Sequence, residues 1–406
     1  MARSKRLALV LAGGAARGAY EVGVVQYVVE AVARELGRQV PFDILCGTSV
    51  GALNACGLAA YADEGQLSVK RLLDVWTGLE LESLVRPDVR GVLGMGARLL
   101  GRTAPADIPA REGGLLDPLG LERLIASKIP FARIAGNLVD GHLEALTVST
   151  THVASGRTVV FVQRRDAGLP PWSADPTIEP RAVTIELAHA MASAAVPILF
   201  RAVKIDGEFH CDGGLRQNVP LSPARRLGAD GVLVVNPRYI SATPLSEASD
   251  EADDAFPGPL FLLGKTLNAL LLDRIDTDLA RVESINRMLA AGTQVYGAEF
   301  TPRINAALGH SPQRGLRRMR TLLVRASEDI GKLAAEFVRS QEFNRTAGVT
   351  VRLLRRLAEH EARSESDLLS YVLFDGRFAA QLIALGREDA KKRHVELCDF
   401  VHAMMG

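Results

Sequence analysis

Leu7–Leu11 and Phe42–Cys46 are short apolar runs, each delivered into a glycine turn and each followed by small residues. The first reads "LALVLAGGAARGAYEVGVV" and the second "FDILCGTSVGALNACGL". A buried strand needs cover on both faces, and a repeated strand–turn–helix supplies it. Two such units within about sixty residues predict an α/β fold with a mostly parallel sheet flanked by helices. After the first turn, Val22, Val25, Val28, Val29, Val32 and Leu36 fall at helical spacing over residues 19–36, and Gly37 closes the run.

The second turn presents Ser49 between Gly47 and Gly51. This is the G-x-S-x-G pattern, in which a sharp strand-to-helix turn leaves the serine hydroxyl at its tip. A helix N-terminus there favours an alkoxide or oxyanion. The bland alternative is a tight turn with an incidental serine. A nucleophile also needs a base and an oxyanion hole. Gly13, Gly14, Ala15 and Ala16 place consecutive amides at the start of a helix, where they can converge on an anion. Arg17 and Gly18 complete that turn; the arginine is expected to fix the loop or add positive charge. A dinucleotide fingerprint is absent, because Ala15 stands where G-x-G-x-x-G needs its second glycine.

For the base, "HCDGGLRQNVPL" places Asp212 before Gly213 and Gly214. His210 lies two residues earlier, so on a continuing strand both side chains share a face. His189 on a small-residue helix and His142 and His152 beside a strand are the other nearby histidines. At this level an aspartate base and a histidine base both stand.

Together these residues match a family. Gly13-Gly14-Ala15-Ala16-Arg17-Gly18, then Gly47-Thr48-Ser49-Val50-Gly51, then Asp212-Gly213-Gly214 resemble the patatin-like phospholipases. The stretch "ASAAVPILFRAVKIDGEFHCDGGLRQNVPLSPARRLGAD" extends the resemblance, which runs from residue 7 to about residue 237. It implies a patatin-like sheet, a glycine-rich oxyanion loop at Gly13–Gly18, Ser49 as nucleophile and Asp212 as the partner in a Ser-Asp dyad without histidine. The implied activity is serine lipid acyl hydrolysis through an acyl-enzyme, with a phospholipid, lysophospholipid or other ester as substrate and no cofactor or metal. The alternatives are a Ser-His-Asp hydrolase or acyltransferase using His210 or His189, and a non-catalytic protein of this fold that binds acyl chains or a partner. One departure is Ala15, where the family usually has a third glycine: alanine keeps the amide donor but disfavours positive φ.

Elsewhere, "LEALTVSTTHV" and "RTVVFVQ" read as strands joined at Ser155-Gly156, residues 184–194 as a small-residue helix, and "AVKIDGEFHCDGG" as a hairpin on Asp206-Gly207. "GVLVVNPR" is a last core strand, and Asp117-Pro118 starts a helix. Residues 86–115, rich in Gly, Pro and Arg, are expected to form a long surface loop covering the acyl site. The acidic stretch 246–259 suggests a boundary. The expected division is a catalytic α/β domain over 1–240, a linker over 241–259 and a helical region over 260–406. Helices are expected at 260–291, 313–342, 350–362 and 365–387.

The chain of 406 residues is 48% hydrophobic and 23% charged, enough to bury a core. A net charge of +1 and 5% aromatics argue against nucleic acid as partner. Cys46, Cys56, Cys211 and Cys398 show no metal or redox spacing. They are expected to be small buried residues in a reducing cytoplasm. Arg3, Lys5 and Arg6 before the first apolar run look superficially like a signal peptide, but a first buried strand accounts for the run. No run reaches a membrane span; "GPLFLLGKTLNALLLDR" comes nearest and contains Lys265. Two basic segments, "RGLRRMRTLLV" with Arg314, Arg317, Arg318 and Arg320, and "VRLLRRLAEH" with Arg352, Arg355 and Arg356, read either as interfacial helices giving weak, salt-sensitive peripheral membrane contact or as helices whose apolar faces pack on the α/β core beneath a solvated arginine face.

Overall fold

The computed structural model describes residues 5–84, 114, 116–166, 168–170, 172, 175–240, 275–309, 315–344, 351 and 367–405. The strands are β1 (Leu7–Leu11), β2 (Ile44–Thr48), β3 (Ala145–His152), β4 (Thr158–Arg164), β5 (Ile178–Ala182), β6 (Val203–Ile205), β7 (Glu208–Asp212), β8 (Gly231–Asn236) and β9 (Arg320–Arg325). The helices used below are α1 (Gly18–Tyr27), α2 (Val50–Ala60), α3 (Gln66–Thr77), α4 (Leu119–Lys128), α5 (Leu187–Ser193), α6 (Leu221–Leu227), α7 (Ile275–Tyr296), α8 (Ile330–Arg339), α9 (Asp367–Val372), α10 (Gly376–Lys392) and α11 (His394–Met405).

The nine strands among the described residues belong to one mixed sheet: seven follow the order β5-β4-β3-β2-β1-β8-β9, and the β6–β7 hairpin joins it through β7 against β3. β1 runs parallel to β2 and β8, β2 to β3, and β8 to β9. The fold is the expected mostly parallel sheet between helices. Along β1, Leu7, Leu9 and Leu11 enter one core with α1, α2, α3 and α10. Ala8 and Val10 enter a second core with α6 and the start of α7. Burial on both faces explains the unbroken apolar runs of the sequence. The hairpin β6–β7 turns on Asp206 (φ 49) and Gly207 (φ 88), the two positive-φ positions of a type I′ turn.

β3 has an unusual neighbour arrangement that positions the site. Its first part pairs with β2, ending at Thr48 opposite Ser149. From Thr150 onward its partner on that side is β7, running antiparallel with Asp212 opposite Thr150. β7 thus takes over where β2 leaves the sheet.

The described C-terminal residues are mainly helical and share the core of the N-terminal ones. Within the expected helix 313–342, however, Arg320–Arg325 is a strand, followed by α8. Leu322 and Val324 are buried while Leu323 packs against the opposite core, so the run alternates with period two and docks on β8. Tertiary pairing overrode the helical pattern seen in the arginines. The helix expected over "RGLRRMRTLLV" is therefore not formed. Arg317 instead donates to the carbonyls of Arg225 (2.9 Å) and Ala229 (3.0 Å) at the C-terminal end of α6. The expected helix 365–387 is divided at Asp375, which caps α10 by accepting from Arg377 N–H. Of the loop expected over 86–115 only Gly114 is among the described residues; the stretch 241–274 and most of "VRLLRRLAEH" lie outside them. Among the described residues no helix is long and apolar enough to cross a membrane.

α1 and α10 cross in close contact. A Cβ placed on Gly23 would lie 2.0 Å from Ile383 O, and one on Gly386 would lie 2.1 Å from Tyr20 O. Only glycines allow the two backbones to approach this closely. Tyr20 Oη also reaches Asp389 Oδ2 on α10 at 3.2 Å.

Candidate functional site

The elbow forms where β2 ends. Ser49 has φ 55 and ψ −128, an uncommon conformation for a residue with a side chain. Such strain costs on the order of 1–3 kcal/mol and persists only where neighbours impose it. Here they do: a Cβ on Gly47 would meet Gly51 O at 2.3 Å, and one on Gly51 would meet Leu11 O at 2.4 Å. The Ser49 N–H donates to Ser193 Oγ (2.9 Å), whose hydroxyl donates to Ser149 O (2.6 Å). Ser193 escaped the sequence reading; its only signal was a place in the small-residue helix now seen as α5.

Asp212 is the last residue of β7 and is fully buried. Its N–H donates to Ala195 O (2.9 Å), and its carbonyl accepts from Thr151 Oγ1 (2.9 Å). Oδ1 accepts from Gly214 N–H (2.7 Å), and Oδ2 accepts from Ser49 Oγ–H (2.6 Å). Both carboxylate oxygens are thus aimed. Burial pushes the Asp212 carboxyl up to about 7, against the lowering pull of the Ser49 and Gly214 hydrogen bonds. Gly213 lies against β3, where a Cβ would sit 2.2 Å from Ser149 O.

The turn after β1 closes on the same place. A Cβ on Gly13 would be 3.1 Å from Ser49 Cβ, so the turn faces the serine. The N–H of Gly13 donates to Asn218 O (3.2 Å), that of Arg17 to Gly14 O (3.0 Å), and that of Gly18 to Ala15 O. Those of Gly14, Ala15 and Ala16 find no acceptor among the described residues. Ala15 adopts φ 48, the positive φ that its side chain disfavours. Arg17 is buried; its Nε donates to Ser370 Oγ (2.8 Å), and its guanidinium lies 4.2 Å from the Tyr371 ring centroid. Behind the turn, Glu21 is fully buried and accepts from Asn54 Nδ2 (2.9 Å). Burial raises its carboxyl well above the usual range, against the lowering pull of the Asn54 hydrogen bond. Asn54 in turn accepts from Trp76 Nε1 (2.9 Å). A lone acid in "GAYEVGVV" was the sequence signal for Glu21, and nothing in the pattern marked Asn54 or Asn218.

The histidines are engaged elsewhere. His210 is buried, with Nδ1 3.1 Å from Thr150 Oγ1 and its ring 5.4 Å from those of His152 and Phe161. Burial, helped by nearby cationic groups, pushes it down to about 4. His189 Nδ1 accepts from Glu186 N–H (3.1 Å) at the start of α5, and its ring packs edge-on to Phe161. Cys46, Cys56 and Cys211 are buried as expected, whereas Cys398 is half-buried on α11. Burial raises Cys46 to about 12 and Cys211 to about 11, which leaves both thiols unreactive beside the motifs.

A groove of about 610 Å³ opens along α5, lined by Leu121, Leu187, Met191, Phe200 and Phe209 together with Arg201 and Lys204. Ala195, whose carbonyl holds the Asp212 amide, belongs to its wall.

A mixed, mostly parallel sheet with a serine on a strained elbow and a buried carboxylate against its hydroxyl defines the class. The chain belongs to the patatin-like phospholipase family, whose model matches residues 9–225, just over half of it. It is 25% identical over 215 residues to a cGAMP-activated phospholipase of Pseudomonas aeruginosa; the match covers 52% of this chain and 53% of that protein. The chain thus spans about half the length of this curated relative. Two solved structures overlay at low similarity. VipD from Legionella pneumophila has 12% identity and a TM-score of 0.34, with 96% of this chain and 92% of that one covered. The ExoU–SpcU complex of Pseudomonas aeruginosa has 16% identity and a TM-score of 0.27, with 97% and 76% covered. Overlays at this level place no residue.

Proposed function

We propose that this protein is a lipid acyl hydrolase in which Ser49 is the nucleophile and Asp212 the base. The observation that carries this reading is the 2.6 Å hydrogen bond from Ser49 Oγ to Asp212 Oδ2 at a strained elbow. The Asp212 carboxylate takes the Ser49 proton as Oγ attacks the ester carbonyl, forming the Oγ–C bond and a tetrahedral oxyanion. The unspent amides of Gly14, Ala15 and Ala16 are the candidate donors to that oxyanion; those of Gly13, Arg17 and Gly18 serve the loop itself. Collapse breaks the bond to the leaving alcohol, which receives the proton back from Asp212. Water then attacks the acyl-enzyme, giving its proton to Asp212, and the serine leaves with that proton as the carboxylic acid is released.

A carboxyl near 7 suits this role, since it is strongly basic yet substantially ionised at neutral pH. The groove along α5 is the candidate bed for an acyl chain, its volume being in the range of small-molecule sites. Family membership favours a phospholipid or lysophospholipid among the esters. The decisive test is a fluorophosphonate probe together with a phospholipid panel. Wild type should be labelled and release fatty acid; Ser49→Ala should do neither. Equal labelling of both proteins refutes the assignment.

A further inference from the structure

We propose that Ser370 and Tyr371, on helix α9 of the C-terminal region, are positioning residues for the oxyanion turn, acting through Arg17. The inference rests on the hydrolase reading above for its meaning, but its geometry is independent of it. Arg17 is the third residue of the short helical turn Ala15–Arg17, directly after Gly14, Ala15 and Ala16, the amides proposed above as oxyanion donors. Its guanidinium is taken out of water and is met from the far end of the chain. Ser370 Oγ accepts from Arg17 Nε at 2.8 Å, and the Tyr371 ring lies under its Cζ at 4.2 Å. Ser370 is fully buried and Tyr371 is 5% exposed. A guanidinium over a desolvated aromatic face, with a buried hydroxyl fixing its edge, has little rotational freedom.

A second hold lies three residues further on. Tyr20 reaches Asp389 at 3.2 Å, and the close α1–α10 crossing fixes the helix axis there. Asp389 is itself anchored by Ser327 Oγ (2.5 Å) and Ser327 N–H (2.9 Å). The turn is thus strained at Ala15 and held downstream by two helices from the C-terminal region. Strained backbone keeps its conformation only while its surroundings insist on it. Removing the Arg17 contacts should let the turn relax toward negative φ at Ala15 and swing its amides away from Ser49. That predicts a loss confined to the transition state, because an oxyanion exists only there.

The test compares Ser370→Ala/Tyr371→Leu with Tyr371→Phe in the full chain. The double variant should lose on the order of tenfold in kcat with KM within about twofold, a fraction of the loss for removing one oxyanion donor outright. Amide exchange in the peptide spanning residues 12–18 should accelerate, while exchange in β3 and α5 stays as in wild type. Tyr371→Phe keeps the ring face and should restore most of the rate and the protection. Unchanged exchange over 12–18 overturns the proposal, as does an effect on KM alone. If the double variant unfolds, Ser370→Ala alone carries the same two readouts. A wild type with no ester turnover would sink the hydrolase reading, while the exchange measurement would still decide whether this clamp holds the turn.

Discussion

Thr48 and Asp212 lie against consecutive residues of one strand, Thr48 opposite Ser149 and Asp212 opposite Thr150. The register of β3 therefore sets the distance between the elbow and the carboxylate. Ser49 follows Thr48 immediately, and its hydroxyl reaches a partner 163 residues away in sequence. The contact depends on β7 entering the sheet where β2 departs.

The first prediction concerns pH. With the Asp212 carboxyl at about 7, the basic form is lost as pH falls below that value. kcat/KM should rise about tenfold per pH unit below it and level off above. A profile that stays level from pH 8 down to about 5, with a midpoint near 4, would instead report an aspartate of ordinary acidity.

The same shift makes a stability statement. The folded value of about 7 lies above the ordinary 3.8, so between these values the native state holds a proton that the unfolded chain releases. Stability should fall as pH rises from about 4 to about 7, by up to about 4 kcal/mol, and then level off. Asp212→Asn carries no such penalty. Its advantage over wild type in urea unfolding should be larger at pH 8 than at pH 5, although its activity is lost. An equal difference at both pH values would contradict the shift.

His210→Gln separates the two bases. Among the described residues His210 contacts Thr150 and aromatic rings, and not Ser49. The variant should keep kcat within about threefold wherever it stays folded, whereas loss of a true general base costs at least about 10²-fold. A collapse of kcat at unchanged melting temperature would move the base to histidine.

Ala15→Gly tests the strained turn. Relief of φ 48 should outweigh the added freedom of glycine in the unfolded chain, for a net gain of about 0.5–1 kcal/mol in chemical denaturation. Ala15→Val, with its β-branch, should destabilise. The opposite order would mean that Ala15 does not hold positive φ in solution.

Gly386→Leu addresses the α1–α10 crossing. A side chain there meets the Tyr20 carbonyl, with Cβ already 2.1 Å away. The helices must separate, at a cost of about 3 kcal/mol or more. Gly136→Ala, at an exposed position of the helix Ala132–Asp140, is the contrast, since nothing lies within 4 Å of its Cβ. It should be neutral or slightly stabilising by the helix propensity of alanine. Similar urea midpoints for the two variants would show the crossing to be loose.

Local pattern determined much of this protein. Apolar runs ending in glycine turns marked β1 and β2, because a strand buried on both faces has no polar alternation to hide it. The spacing of Gly47, Ser49 and Gly51 marked the elbow, because close backbone approach excludes any side chain at the two flanking positions. Asp206-Gly207 marked the β6–β7 hairpin through its demand for positive φ. Tertiary structure decided the rest. "RTLLVR" is ambiguous as a short apolar run, and only the open edge of β8 made it a strand. Asp212 and His210 share a strand face, and only the register on β3 brings the aspartate to Ser49 and leaves the histidine against Thr150. The holds on Arg17 and Tyr20 by residues 353 and 369 positions away follow no local period. Neighbours along the chain constrain backbone shape, whereas a hydrogen bond between distant residues exists only after the whole sheet and its covering helices have closed.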